Sequence, residues 1–159
     1  INALKKLAKK GIQVIITYPS NDAGGRSIID NLQALEKQSI SGIQIHKSLG
    51  RYLYHGVLAL AQNKSNKVAC VGNSPSGIKE TPIFHCPTVN IGSRQKGRDR
   101  GLNVIDVDHN RSDIINSIKS QIIHGKFASE LIYGDGGAGV KIADILSKVE
   151  MSIEKTLTY

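Results

Sequence analysis

Residues 72–80 read Gly72-Asn73-Ser74-Pro75-Ser76-Gly77-Ile78-Lys79-Glu80, a run of types and spacing suited to holding a phosphate and a sugar. It follows Val68-Ala69-Cys70-Val71, an apolar stretch that predicts a short buried strand. A helix over residues 76–84 is expected next. A strand that ends in glycine and hydroxyl residues before a helix leaves unpaired backbone N–H groups beyond the sheet edge. The helix dipole adds partial positive charge there, which suits an anion. Glu80, on the first turns, is placed to accept hydrogen bonds from a ribose diol. The same residues also fit ordinary turn chemistry, with Ser74 as a helix N-cap and Pro75 in the first helical position.

A second segment supports the ligand reading. Pro87-Thr88-Val89-Asn90-Ile91-Gly92 predicts another strand ending in glycine, and residues 93–100 that follow carry Arg94, Lys96, Arg98 and Arg100. This run is too dense in charge, and too interrupted by Gly97, for a stable helix. It is expected as a loop leaving the sheet one strand after the glycine–serine turn, so both loops would meet at one edge.

The elements that must position these loops alternate along the chain. Helices are expected over 3–10, 26–37, 51–62, 112–123 and 139–149, and strands over 12–16, 42–45, 68–71, 87–92 and 103–107. Strands spaced by helices imply an α/β fold, a Rossmann-like parallel sheet with helices on both faces. Such folds bind ligands beyond the carboxyl ends of their strands, where the loop over 18–25 also falls.

Composition bounds the alternatives. With 159 residues the chain is one domain, long enough for a core. No apolar run approaches the roughly 20 residues that span a bilayer, and no leader pattern is seen, so no membrane partner and a cytoplasmic location are expected. The start at Ile1 is read as that of a fragment. Cys70 and Cys86 are expected as buried small hydrophobes rather than a disulfide pair. The net charge of +8 permits nucleic-acid binding, but many lysines lie dispersed on helix faces and aromatics are scarce. The concentrated cluster at 94–100 better matches a small polyanion, and no nucleic-acid partner is expected. His46, His55, His85, His109 and His124 lack metal-ligand spacing, so each is expected to be structural or exposed, with no metal and no cofactor.

Taken in order, Tyr18-Pro19 with Asp22-Ala23-Gly24, Lys47-Ser48-Leu49-Gly50, the 72–80 run, residues 87–98 and Tyr133-Gly134-Asp135-Gly136 resemble the UDP-N-acetylglucosamine 2-epimerase family. The Asn-Ser…Ser-Gly and Gly-Ser-Arg-Gln-Lys-Gly-Arg forms are closer to its hydrolysing branch, which supplies sialic and related nonulosonic acids. The resemblance implies the C-terminal half of a GT-B fold over residues 1–159, with the N-terminal domain and the start of the C-terminal one outside the chain. It further implies that Ser74, Ser76 and the Gly77 backbone hold the diphosphate, Glu80 the ribose hydroxyls and Arg94 phosphate charge. Ser48 and Leu49 would lie near the uracil, and Ser20, Asp22 and Asn73 near the nucleotide or sugar. The implied reaction removes the sugar C2 proton, eliminates UDP and adds water. Its acid–base carboxylates and a functional histidine belong to the part outside the chain, so no catalytic residue is expected here and the isolated chain would be inactive. The expected partners are UDP, a UDP-sugar, the N-terminal domain and, at full length, a second copy in a homo-oligomer.

Two departures from the family pattern stand out. Pro75 replaces a serine and removes one backbone donor, and residues 62–67 form a longer connection, read as a surface insertion. The C-terminal domain of a GT-B glycosyltransferase would share the phosphate site and ribose glutamate, although Gln95-Lys96-Gly97-Arg98 and Tyr133-Gly134-Asp135-Gly136 argue against it. A non-enzymatic basic binding module is the other alternative.

Overall fold

The computed structural model describes residues 1–20 and 24–150. In chain order the elements are α1 (Asn2–Ala8), β1 (Val14–Thr17), α2 (Gly25–Glu36), β2 (Ile43–His46), α3 (Gly50–Ala59), β3 (Cys70–Gly72), α4 (Ser76–Lys79), β4 (Thr88–Ile91), β5 (Val104–Val107), α5 (Arg111–His124) and α6 (Ala138–Lys148), with a single 3-10 turn, Leu60–Gln62, after α3. The alternation expected from the sequence is present, and every strand pairing among the described residues is parallel. The strands form two hydrogen-bonded groups rather than one continuous sheet: β1 with β2, and β3-β4-β5.

Local chemistry sets the element ends. Gly11 stops α1 with φ +86, a conformation open to glycine and costly for other residues. Asn110 caps α5, its side-chain oxygen accepting from the Ser112 and Asp113 amides at 2.8 and 3.3 Å. The helix expected over 76–84 is a single turn. Pro82 disfavours helical geometry at Thr81 and has no N–H to donate. Thr81 Oγ1 instead donates to the Gly77 carbonyl at 2.7 Å, and the chain runs on through i→i+3 turns to His85.

Successive strand residues face opposite ways, and this places helices on both faces of the three-stranded sheet. Val71 packs with Leu7, Val89, Ile115 and Ile118, the layer of α1 and α5. Its neighbour Cys70 packs with Leu58, Ala61 and Cys86, the layer of α3 and the segment after α4. Gly77 allows α4 to sit this low, since a Cβ there would lie 3.3 Å from Thr88 Cγ2. Cys70 and Cys86 are both free, and burial holds their thiols up at about 11 and about 12, against an ordinary 9.0.

Beneath α4 lies a buried polar node. Thr81 Oγ1 accepts from Thr88 Oγ1 at 2.9 Å and from Asn103 Nδ2 at 3.0 Å. Asn103 Nδ2 also donates to the Cys86 carbonyl, and Gln121 Nε2 bridges the Thr88 and Asn103 carbonyls at 2.8 Å each. All four residues are within 1% of full burial.

Replacing Gln121 by Leu strips a donor from two buried carbonyls. It should lower unfolding free energy by about 2 kcal/mol in urea titrations. The raised thiols give a second expectation. The unfolded chain loses its thiol protons first, so stability is full below about pH 9 and declines as the pH climbs toward the folded values. Thermal melts between pH 8 and 11 would show it as a falling midpoint, and Cys86→Ala should flatten the slope.

Candidate functional site

The loops that follow β1, β2 and α4 enclose an open cleft of about 600 Å³ at the carboxyl end of the β1–β2 pair. Ser48 and Leu49 line it from the turn after β2, and Glu80 from the end of α4. Thr17 contributes from the end of β1 and Tyr18 from just beyond it, and Lys47 and Arg51 add two cationic side chains. Ser48 Oγ accepts from the Gly50 amide at 3.0 Å, so the hydroxyl also fixes the start of α3. The structure thus brings together three of the residues singled out from sequence.

The hydroxyl residues reach this cleft through α3. Tyr54 and His55 stand side by side on that helix and both line the cleft. The Tyr54 phenol meets Ser76 Oγ at 2.7 Å, and Ser76 Oγ lies 3.1 Å from Ser74 Oγ. His55 Nε2 meets Glu80 Oε2 at 2.8 Å. Burial pushes the Tyr54 phenol well above its ordinary range, with Cys70 and Glu80 acting in the same direction and the Ser76 bond opposing. The phenol is therefore held protonated at neutral pH.

The turn after β3 differs from its expected form. Pro75 occupies the N-cap position and Ser74 makes no standard cap; its Oγ lies 3.4 Å from the Ser76 amide. The Gly77 amide is already engaged with the Ser74 carbonyl at 3.1 Å. With only four residues, α4 sums few peptide dipoles. An anion here would be held by side-chain hydroxyls and cations more than by a helix terminus.

The basic loop does meet the glycine–serine turn. Gln95, 1% exposed, donates from Nε2 to the Asn73 carbonyl at 2.7 Å. Arg100 is bound internally, pairing with Asp106 and donating to the Gln95 carbonyl at 2.8 Å, while Asn90 Nδ2 holds the other Asp106 oxygen at 2.7 Å. Arg100 thus shapes the loop, and Arg94 is exposed in the turn after β4, outside the lining of the cleft. Ser20 is exposed, and Asp22 lies outside the described residues.

The sequence profile of the UDP-N-acetylglucosamine 2-epimerase family matches residues 1–147. The chain belongs to that family. It is 32% identical to the UDP-N-acetylglucosamine 2-epimerase of Neisseria meningitidis over 83% of its own length and 33% of the relative's. It is 32% identical to the UDP-N,N'-diacetylbacillosamine 2-epimerase (hydrolyzing) of Legionella pneumophila, over 88% of the chain and 35% of the relative. With the GDP/UDP-N,N'-diacetylbacillosamine 2-epimerase (hydrolyzing) of Campylobacter jejuni it shares 37% over 69% of the chain and 27% of the relative. The chain spans about a third or less of these relatives.

Family membership gives the Tyr133-Gly134-Asp135-Gly136 run a physical reading. Tyr133 Oη donates to the Asp99 carbonyl at 2.7 Å, Lys79 Nζ lies 5.4 Å above the Tyr133 ring, and Asp135 Oδ1 accepts from the Gly137 amide at 2.9 Å. The run joins the basic loop to the α4 turn and opens α6. Sequence reasoning passed over Tyr54, and treated His55 as one of five uninformative histidines. No spacing signal could have found them, since their partners lie 22 and 25 residues away.

Tyr133→Phe should release the 94–100 loop, whose arginines make trypsin a direct reporter. Loss of one hydrogen bond predicts roughly fivefold faster native-state cleavage there, with an unchanged global melting temperature.

Proposed function

We propose that this chain is the UDP-binding C-terminal half of a GT-B enzyme, a hydrolysing UDP-N-acetylglucosamine 2-epimerase. The observation that carries this reading is the cleft in which Glu80, Ser48 and Leu49 converge, with the Ser74–Ser76 hydroxyls tied to it through Tyr54. In this assignment Ser74 and Ser76 bind the diphosphate, Glu80 the ribose hydroxyls, and Ser48 and Leu49 border the uracil. Arg94 supplies phosphate charge, a charge-assisted contact of the strong class. Gly77 serves chiefly by letting α4 approach β4, and Asn73, Ser20 and Asp22 are assigned to the sugar side.

The reaction assigned to the whole enzyme starts from UDP-N-acetylglucosamine or a related UDP-sugar. A base removes the C2 proton, the C1–O bond to UDP breaks to leave a 2-acetamidoglucal, and water adds to give N-acetylmannosamine or its analogue. The hydrolysing form is supported by two relatives that carry that word in their names. This chain's part is to hold the leaving group: contacts that strengthen as negative charge builds on the departing diphosphate lower the barrier. The proton-transferring groups are assigned to the other half, so the chain alone should bind UDP and turn nothing over. Support for that other half comes from α6, where Ile142, Ile145 and Leu146 share one face and are all exposed, a stripe that a surface helix normally buries. The sugar product points to sialic or related nonulosonic acid synthesis, a cytoplasmic task.

Calorimetric titration with UDP tests the assignment. Wild-type chain should bind, Arg94→Ala should weaken binding by about tenfold or more, and Glu80→Ala by a smaller factor of about five. Binding that neither substitution alters, or epimerase turnover by the isolated chain, would overturn it.

A further inference from the structure

Ser76 and Glu80 are four residues apart, and so share one side of the turn that α4 forms. Each is gripped by a different member of one dipeptide on α3: Ser76 Oγ by the Tyr54 phenol at 2.7 Å, Glu80 Oε2 by His55 Nε2 at 2.8 Å. Both clamping side chains are themselves anchored. Tyr54 packs on the Leu58, Ala61 and Cys86 cluster, and the His55 ring lies 5.1 Å from the Phe84 ring, tilted against it. We propose that Tyr54 and His55 are positioning residues for the nucleotide, Tyr54 ordering the hydroxyls that face the diphosphate and His55 orienting the carboxylate that faces the ribose. This inference rests on the UDP assignment above.

The chemistry follows from counting donors and acceptors. Ser74 Oγ lies at the exposed end of a chain of three hydroxyls, Tyr54 to Ser76 to Ser74. It is approached by both Ser76 Oγ and the Ser76 amide, at 3.1 and 3.4 Å. When Tyr54 donates to Ser76 and Ser76 donates to Ser74, Ser74 spends its lone pairs inward. Its own proton is then the one hydroxyl hydrogen left to point outward, toward an anionic oxygen. In that arrangement each donated bond polarises the next. On the ribose side, a His55 N–H holding Oε2 leaves Oε1 of Glu80 to accept from a diol. Without it, a half-exposed glutamate would sample several rotamers and bind the diol at an entropic cost.

Because α3 begins at the Ser48–Leu49 turn, the same helix that borders the base subsite presents the two clamps. Base, ribose and phosphate contacts are thereby referred to one rigid element.

The test compares UDP with two truncated ligands, 2′,3′-dideoxy-UDP and uridine, by NMR or calorimetric titration of the folded chain. Tyr54→Phe should weaken UDP by about five- to tenfold and leave uridine unchanged. His55→Phe should weaken UDP by a similar factor and leave 2′,3′-dideoxy-UDP unchanged, while His55→Gln, which keeps an N–H near the Nε2 position, should recover most of the affinity. A role limited to holding the fold would weaken every ligand alike, and that result overturns the inference, as does UDP affinity untouched by either substitution. If folded wild-type chain fails to bind UDP, the nucleotide assignment itself falls and takes this inference with it.

Discussion

The site geometry hangs on the buried node of Thr81, Thr88, Asn103 and Gln121. Thr81 Oγ1 is both donor and acceptor: it terminates α4 by bonding the Gly77 carbonyl, and it receives hydrogen bonds from β4 and from the residue before β5. A polar group buried this deeply costs several kcal/mol unless satisfied, so the segment after α4 has one docking position on the sheet. That position determines where Ser76 and Glu80 stand relative to α3. Apolar packing alone would allow the segment to slide, since hydrophobic contacts are non-directional.

A second set of polar contacts organises the rim. Four cations in seven residues, at positions 94, 96, 98 and 100, would repel one another in an unstructured loop. Arg100 relieves this by pairing with Asp106 and capping the Gln95 carbonyl. Gln95 then ties the loop to Asn73, and Tyr133 ties it to the segment that opens α6. The result is a basic rim held against the hydroxyl turn by neutral hydrogen bonds, which salt screens far less than it screens surface charge pairs.

The proposed anion site depends on side chains. Pro75 removes a backbone donor, the Gly77 amide is engaged within its own turn, and four residues make a weak dipole. In the proposal, hydroxyls ordered by the half-buried Tyr54 phenol compensate. Such a site is sensitive to what lies behind it, because a hydroxyl donates only where its own acceptor bonds allow.

Much of this was legible in the chain itself. Parallel strands alternating with helices follow from short apolar runs separated by amphipathic ones, since each run must bury its own surface. The motif order from Tyr18 to Gly136 pointed to the family, and Glu80, Ser48 and Leu49 do share a cleft. The length of α4 was misjudged because the apolar pattern over 76–84 runs past Pro82, and pattern alone does not weigh the proline's missing donor. What only the tertiary structure decided is the pairing across distance. Strands of two separate parallel groups, the bonding of Arg100 inward while Arg94 stays exposed, and the placing of Tyr54 and His55 against Ser76 and Glu80 depend on how helices settle on a sheet. Sequence fixes periodicity and turn chemistry because these act over a few residues. It cannot fix which side chains meet across a gap of 20 or more, because that is set by packing of the whole layer.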